Sequence, residues 1–174
     1  MDLITLAHTP SLQLLIAPPS FQREVSLQFI AEMAQSGPVQ VLDGGNRFDL
    51  LALNRELRRR DLPLYTALER VRIARAFTCY QMTTLLEDHP RDGIPTLVLN
   101  LLATFQDENA SLAERLRLLE ICLYSLRKRA LHTAVLTVLH PQPSEEPFLG
   151  CVREAVDRAW VFEPQPPAAQ LTLL

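Results

Sequence analysis

Short, nearly continuous apolar runs recur along this chain, and the stretches between them are long enough for helices. The clearest runs are residues 12–17, 39–42, 96–102 and 133–139. A strand that is apolar at successive positions has no polar face to turn to water, so it is buried on both sides. Strands of that kind, separated by helical segments, pack as a parallel sheet covered by helices on both faces. Right-handed crossovers then give an α/β three-layer sandwich with a mostly parallel central sheet. At 174 residues the chain suits one domain, read as residues 1–163, followed by a proline-rich C-terminal tail, 164–174.

Local signals place the elements between these runs. Pro18-Pro19 ends the first strand, because proline cannot donate to a sheet ladder. Ser20 is the expected cap of a helix to about Ser36, with Val25, Phe29 and Met33 on one face. After the 39–42 strand, Asp43-Gly44-Gly45-Asn46 signals a turn, Asp49 a cap, and Phe48 with Leu53 a staple. Residues 64–69 suit a short turn of helix. Residues 71–76 alternate apolar and polar before turning small, which suits a strand near the sheet edge. Thr78 with Gln81, stapled by Phe77 and Met82, has capping-box spacing, as has Ser111 with Glu114. The second box opens a helix whose expected core stripe is Leu112, Leu116, Leu119, Leu123 and Leu126. A last helix is expected to about Arg158, then a strand over 160–163.

Composition narrows the partners. The formal net charge is −3, so no global charge draws the chain to nucleic acid. Arginines nevertheless cluster between Arg47 and Arg75, including Arg55, Arg58, Arg59, Arg60, Arg70 and Arg72. Such a patch can recruit phosphate or an acidic partner. It can equally be a solvated helix face paired to Glu56 and Asp61. Cys79, Cys122 and Cys151 are scattered, with no C-x-x-C, which argues against a zinc site or disulfide framework and fits a cytoplasmic setting. The N-terminus lacks a basic start, so it is a poor signal peptide. No apolar run approaches the ~20 residues of a membrane helix, so no membrane partner is expected.

The strand-to-helix turn after residue 17 is where a P-loop would place G-x-x-x-x-G-K-[ST]. Laid on that spacing, Ala17 and Gln22 stand at the glycines, Arg23 at the lysine and Glu24 at the magnesium-binding hydroxyl. With Ser20 and Phe21 they fill the bend through which backbone N–H groups would reach phosphate. The helix N-terminus keeps a partial positive charge, and Glu24 is a candidate to fill the anion site itself.

Beyond that turn, the element order from about Leu12 to Glu163 resembles the RecA-like P-loop ATPases, including recombinases and their paralogues. The residues carrying the likeness are Val41 to Phe48, the segment Ala76 to Leu86, the strand Thr96 to Asn100, Ala134 to His140, and Ala155 to Trp160. The resemblance implies a sheet order of third, second, fourth, first, fifth and sixth strand. It also implies that Asn100 stands at the Walker B aspartate, Gly45 at the catalytic glutamate and His140 at the polar sensor. An amide is a weak ligand for a hard cation, and glycine cannot orient an attacking water. The segments matching the family's DNA-contacting loops, 106–109 and 141–146, are short and acidic.

No H-E-x-x-H, G-x-S-x-G or G-x-G-x-x-G occurs. Asp43-Gly44-Gly45 can hold a ligand at the sheet edge or simply make the turn. His132 and His140 flank the 133–139 strand, and Asp107-Glu108 is a solvated loop or a cation site lacking further ligands. The resulting expectation is a non-catalytic RecA-like domain with no cofactor. It would act through a protein partner or self-association, as an accessory to DNA recombination or repair. The alternatives are a nucleotide-binding or slow ATPase with an altered P-loop, and a nucleic-acid module using the Arg47–Arg75 cluster.

Overall fold

The computed structural model describes residues 8–88, 93–106 and 109–162. The strands are β1 (Ser11–Ile16), β2 (Val39–Asp43), β3 (Val71–Arg75), β4 (Thr96–Leu99), β5 (Ala134–Leu139) and β6 (Arg158–Val161). The helices are α1 (Pro19–Ser36), α2 (Leu50–Arg59), α3 (Leu64–Glu69), α4 (Cys79–Asp88), α5 (Leu112–Ala130) and α6 (Glu146–Ala155). All six strands are parallel, in the order β3-β2-β4-β5-β1-β6.

The chain leaves β1, passes β5 and β4 to reach β2, continues to β3, and then returns through β4 and β5 to β6. Right-handed crossovers send α1–α3 to one face and α4–α6 to the other when the direction reverses. Burial bears this out. Along β5, Leu136 and Val138 pack with Phe29, Ile30 and Leu53 of the first face. Val135 and Leu139 pack with Met82, Leu119 and Phe148 of the second. Two cores therefore share one sheet.

The order differs from that implied by the resemblance, because β5 rather than β1 stands beside β4. Both β1 and β5 are buried along nearly their whole length, so either can fill an interior position and the apolar pattern does not separate them. The edges follow expectation: β3 and β6 are largely exposed.

Four further expectations shift. The apolar run 96–102 is not one strand, because Asn100 adopts a left-handed conformation (φ 48°) and turns it into a 3-10 helix, Leu101–Phe105. The stripe of α5 keeps Leu119, Leu123 and Leu126 buried and Leu116 partly so, widens onto Leu118 and Cys122, and leaves Leu112 exposed. Phe77 is 63% exposed rather than closed over Met82. The last strand starts at Arg158 because Asp157 fixes its register: the Leu12 N–H donates to Asp157 Oδ2 (2.7 Å), and the Asp157 N–H donates to the Leu12 carbonyl (2.8 Å).

The caps of α2, α4 and α5 form, with Ala52 N–H on Asp49 (2.9 Å), Gln81 N–H on Thr78 (3.2 Å) and Glu114 N–H on Ser111 (3.2 Å). The Gln81 side chain accepts from the N–H of Phe77 (2.8 Å), one residue before the Thr78 cap, and Glu114 turns to Arg117. No helix among the described residues is long and apolar enough to cross a membrane. The expected 89–93 loop, apart from Gly93, and the 164–174 tail lie outside the described residues, as do Asp107 and Glu108.

Candidate functional site

In an open parallel sheet, ligands bind at the carboxyl ends of the strands where neighbouring connections diverge to opposite faces. Here β1 and β2 send the chain to the first face, while β4 and β5, lying between them, send it to the second. A cleft of about 470 Å³ opens there. Its walls come from α1 (Gln22, Ser26, Ile30), from the loop after β2 (Gly45, Arg47, Phe48), and from the ends of β4 and β5 (Asn100, His140).

The β1–α1 turn is built against phosphate. Pro18 is the N-cap of α1 and Pro19 its first residue, so two successive positions carry no N–H. Ser20 is exposed and makes no cap, which corrects its expected role. Glu24 lies beyond the first turn, exposed, and accepts from Gln28 (3.1 Å), so it does not fill the anion site. Gln22 takes that space. Its buried amide donates to the Ala17 carbonyl (2.7 Å) and to the Leu139 carbonyl, tying the end of β1 to the end of β5. His140 Nδ1 approaches the same Ala17 oxygen at 3.3 Å. The turn thus gathers acceptors and turns the Gln22 amide onto two of them, the reverse of what a phosphate needs.

At β2 the polarity is opposite. Asp43 is fully buried, and its carboxylate accepts from the N–H groups of Arg47 (3.0 Å) and Phe48 (3.1 Å), with Arg75 Nε at 3.4 Å. The carboxylate is spent on its own loop, so Asp43-Gly44-Gly45 is a turn-forming device. Gly44 donates to the Leu99 carbonyl (2.8 Å), drawing the loop onto β4. A Cβ on Gly45 would meet the Asn100 Cβ and amide nitrogen at 2.9 Å. The two positions that the resemblance assigns to metal and base are therefore neighbours in space, closed over each other with no room for a carboxylate at position 45.

Arg23 stands at the mouth, paired with Asp49. Asp49 is held below the usual carboxylate range first by the Ala52 N–H it caps and then by Arg23. Glu145, buried in the cleft wall, accepts from the Gln142 N–H (2.9 Å), and burial pushes its carboxyl up.

The arginine cluster disperses. Arg59 and Arg60 grip Glu56 at 2.8–2.9 Å, Arg60 also reaches Glu32 (3.1 Å), and Arg70 donates to the carbonyls of Ala34 and Gln35. Glu56 is held low by Arg59 and then Arg60. No such pair forms between these arginines and Asp61 among the described residues. Arg55 and Arg58 remain exposed on α2 without an ion pair among the described residues, and Arg72 is exposed on β3. Of the residues singled out in the sequence, Gln22, Arg23, Gly45, Asn100 and His140 meet in the cleft; the α2 and β3 arginines do not line it.

Ser26, Arg47 and Glu145 are cleft residues that no motif in the sequence marks. Ser26 had a findable signal, one helical turn beyond Gln22 on the same face. Among the described residues, no group of His, Cys, Asp or Glu is arranged to hold a metal. No protein-family model matches the chain, and no curated protein matches it.

Proposed function

We propose that this chain is a RecA-like P-loop domain that has lost ATP hydrolysis. In this reading it works through contacts with a protein partner or a second copy, as an accessory to DNA recombination or repair. One observation carries the loss of hydrolysis: the Gln22 amide occupies the β1–α1 turn, where two prolines have removed N–H donors. The packing of Gly45 against Asn100 supports the same reading at the metal and base positions. The link to recombination and repair rests on the resemblance in element order. The ion pairs that engage Arg59 and Arg60 lessen the support for a nucleic-acid module.

The test is a titration with MgATP, followed by calorimetry and by phosphate release. The expected result is no saturable binding in the micromolar range and no turnover. Micromolar binding with magnesium-dependent turnover would overturn the proposal.

A further inference from the structure

The cleft survives although its phosphate turn is closed, and its chemistry differs from that of a triphosphate site. Its volume lies within the few-hundred-Å³ range of small-molecule sites. Its apolar walls come from Leu27, Ile30, Phe48 and Leu99. On its rim Arg23 is matched by Asp49. One cation is left over. Arg47 is exposed in the lining, and its guanidinium has no partner among the described residues.

A second polar group in the wall is also unsatisfied. Ser26 is 6% exposed, lines the cleft, and its Oγ has no hydrogen-bond partner among the described residues. Buried hydroxyls are normally paired, because leaving one unpaired forfeits its hydration without return. The Oγ is itself closed to solvent, so a ligand atom supplies the partner once the Ser26 side chain turns toward the cleft.

We propose that the cleft binds a small monocarboxylic acid with an apolar or aromatic body and one further hydrogen-bonding group. The carboxylate pairs with Arg47, the body lies against Leu27, Ile30 and Phe48, and the second group bonds Ser26 Oγ. A single anionic charge matches the single unpaired cation, whereas a triphosphate would bury several charges without partners. This rests on the reading that the β1–α1 turn no longer cradles phosphates.

The probes are three compounds of one shape: 3-(4-hydroxyphenyl)propionate, 3-phenylpropionate, which lacks the hydroxyl, and 3-(4-hydroxyphenyl)propionamide, which lacks the charge. Binding is read by calorimetry on the full chain. The hydroxylated acid is expected to bind saturably, and the amide tenfold or more weaker. Arg47→Ala should weaken both acids about tenfold and leave the amide unchanged. Ser26→Ala should remove the several-fold preference for the hydroxylated acid over 3-phenylpropionate. Arg47 is exposed and Ser26→Ala deletes one atom, so both variants keep the fold, checked by an unchanged melting temperature. Absence of saturable binding at millimolar acid, or acid affinity unmoved by Arg47→Ala, overturns the proposal. A parallel MgATP arm separates the two readings: no turnover with no acid binding removes only this one, and turnover removes both.

Discussion

The two strand-to-helix junctions on the first face of the sheet solve the same problem with opposite chemistry. After β1, a neutral amide from Gln22 donates to two strand-end carbonyls, that of Ala17 and that of Leu139, which also accepts the Ala17 N–H (3.4 Å). After β2, the unmatched groups are N–H donors, those of Arg47 and Phe48, and the buried Asp43 carboxylate accepts from both. Both are closed from within by one side chain. The difference shows which junction can take an anion. Donors held by the loop's own carboxylate, or replaced by prolines, are withdrawn from any phosphate.

The comparison can be broken first at Asp43. Asp43→Ala leaves two loop N–H groups and Arg75 without their acceptor, and is expected to cost about 2–4 kcal/mol in urea unfolding. Asp43→Asn, which keeps an acceptor oxygen, should recover part of that. Gln22→Met keeps the side chain's length but removes the donor, and the expected loss is about 1–2 kcal/mol. Equal losses at the two sites would erase the distinction drawn between a charged and a neutral closure.

Acidity gives a subtler handle. Burial raises the Glu145 carboxyl above the ordinary value of 4.5, so the folded state binds this proton more tightly than the unfolded chain. Its contribution therefore favours folding at low pH and is lost as pH rises from about the unfolded value through the folded one. Glu145→Gln should become progressively more stable relative to the parent over that window. A difference between the two that does not change with pH counts against the effect.

Cysteine labelling reads the smallest change. Burial pushes the Cys122 thiol up to about 12, and Cys79 is also fully buried, so iodoacetamide is expected to modify Cys151 alone in the native protein. Position 44 lies against Met82 of α4, on the same helix as Cys79. Asp43→Ala should therefore speed labelling of Cys79 more than Gln22→Met does.

Much of the fold was legible because burial leaves a mark on each strand. β3 carries arginines that β4 and β5 lack, so that edge could be told from the interior, while the resemblance alone places β6 at the other edge. The neighbours of β1 could not, since two wholly buried strands carry no label for one another. Residues 96–102 read as a single strand because an apolar run looks the same on either side of a left-handed Asn100. The candidate site was half legible. Gln22 and Asn100 were visible as departures from a motif, but the carbonyl that Gln22 reaches on Leu139 lies 117 residues away. Arg47 lies in the loop after β2 and Glu145 in the 3-10 turn after β5, and only the strand order brings them to one cleft.

The placement of β1 also has a kinetic consequence. Its two partners are β5 and β6, with Ser11 opposite Ala134 and Gln13 opposite Arg158, so it has no local strand to pair with. During synthesis β1 and the apolar side of α1 emerge long before either partner, while β2 and β3 can already associate. Loop closure over such separations is slow, and unpaired apolar segments are exposed meanwhile. The sheet is expected to assemble from its β2–β3 side, with β1 inserted late, between two strands that the chain supplies last.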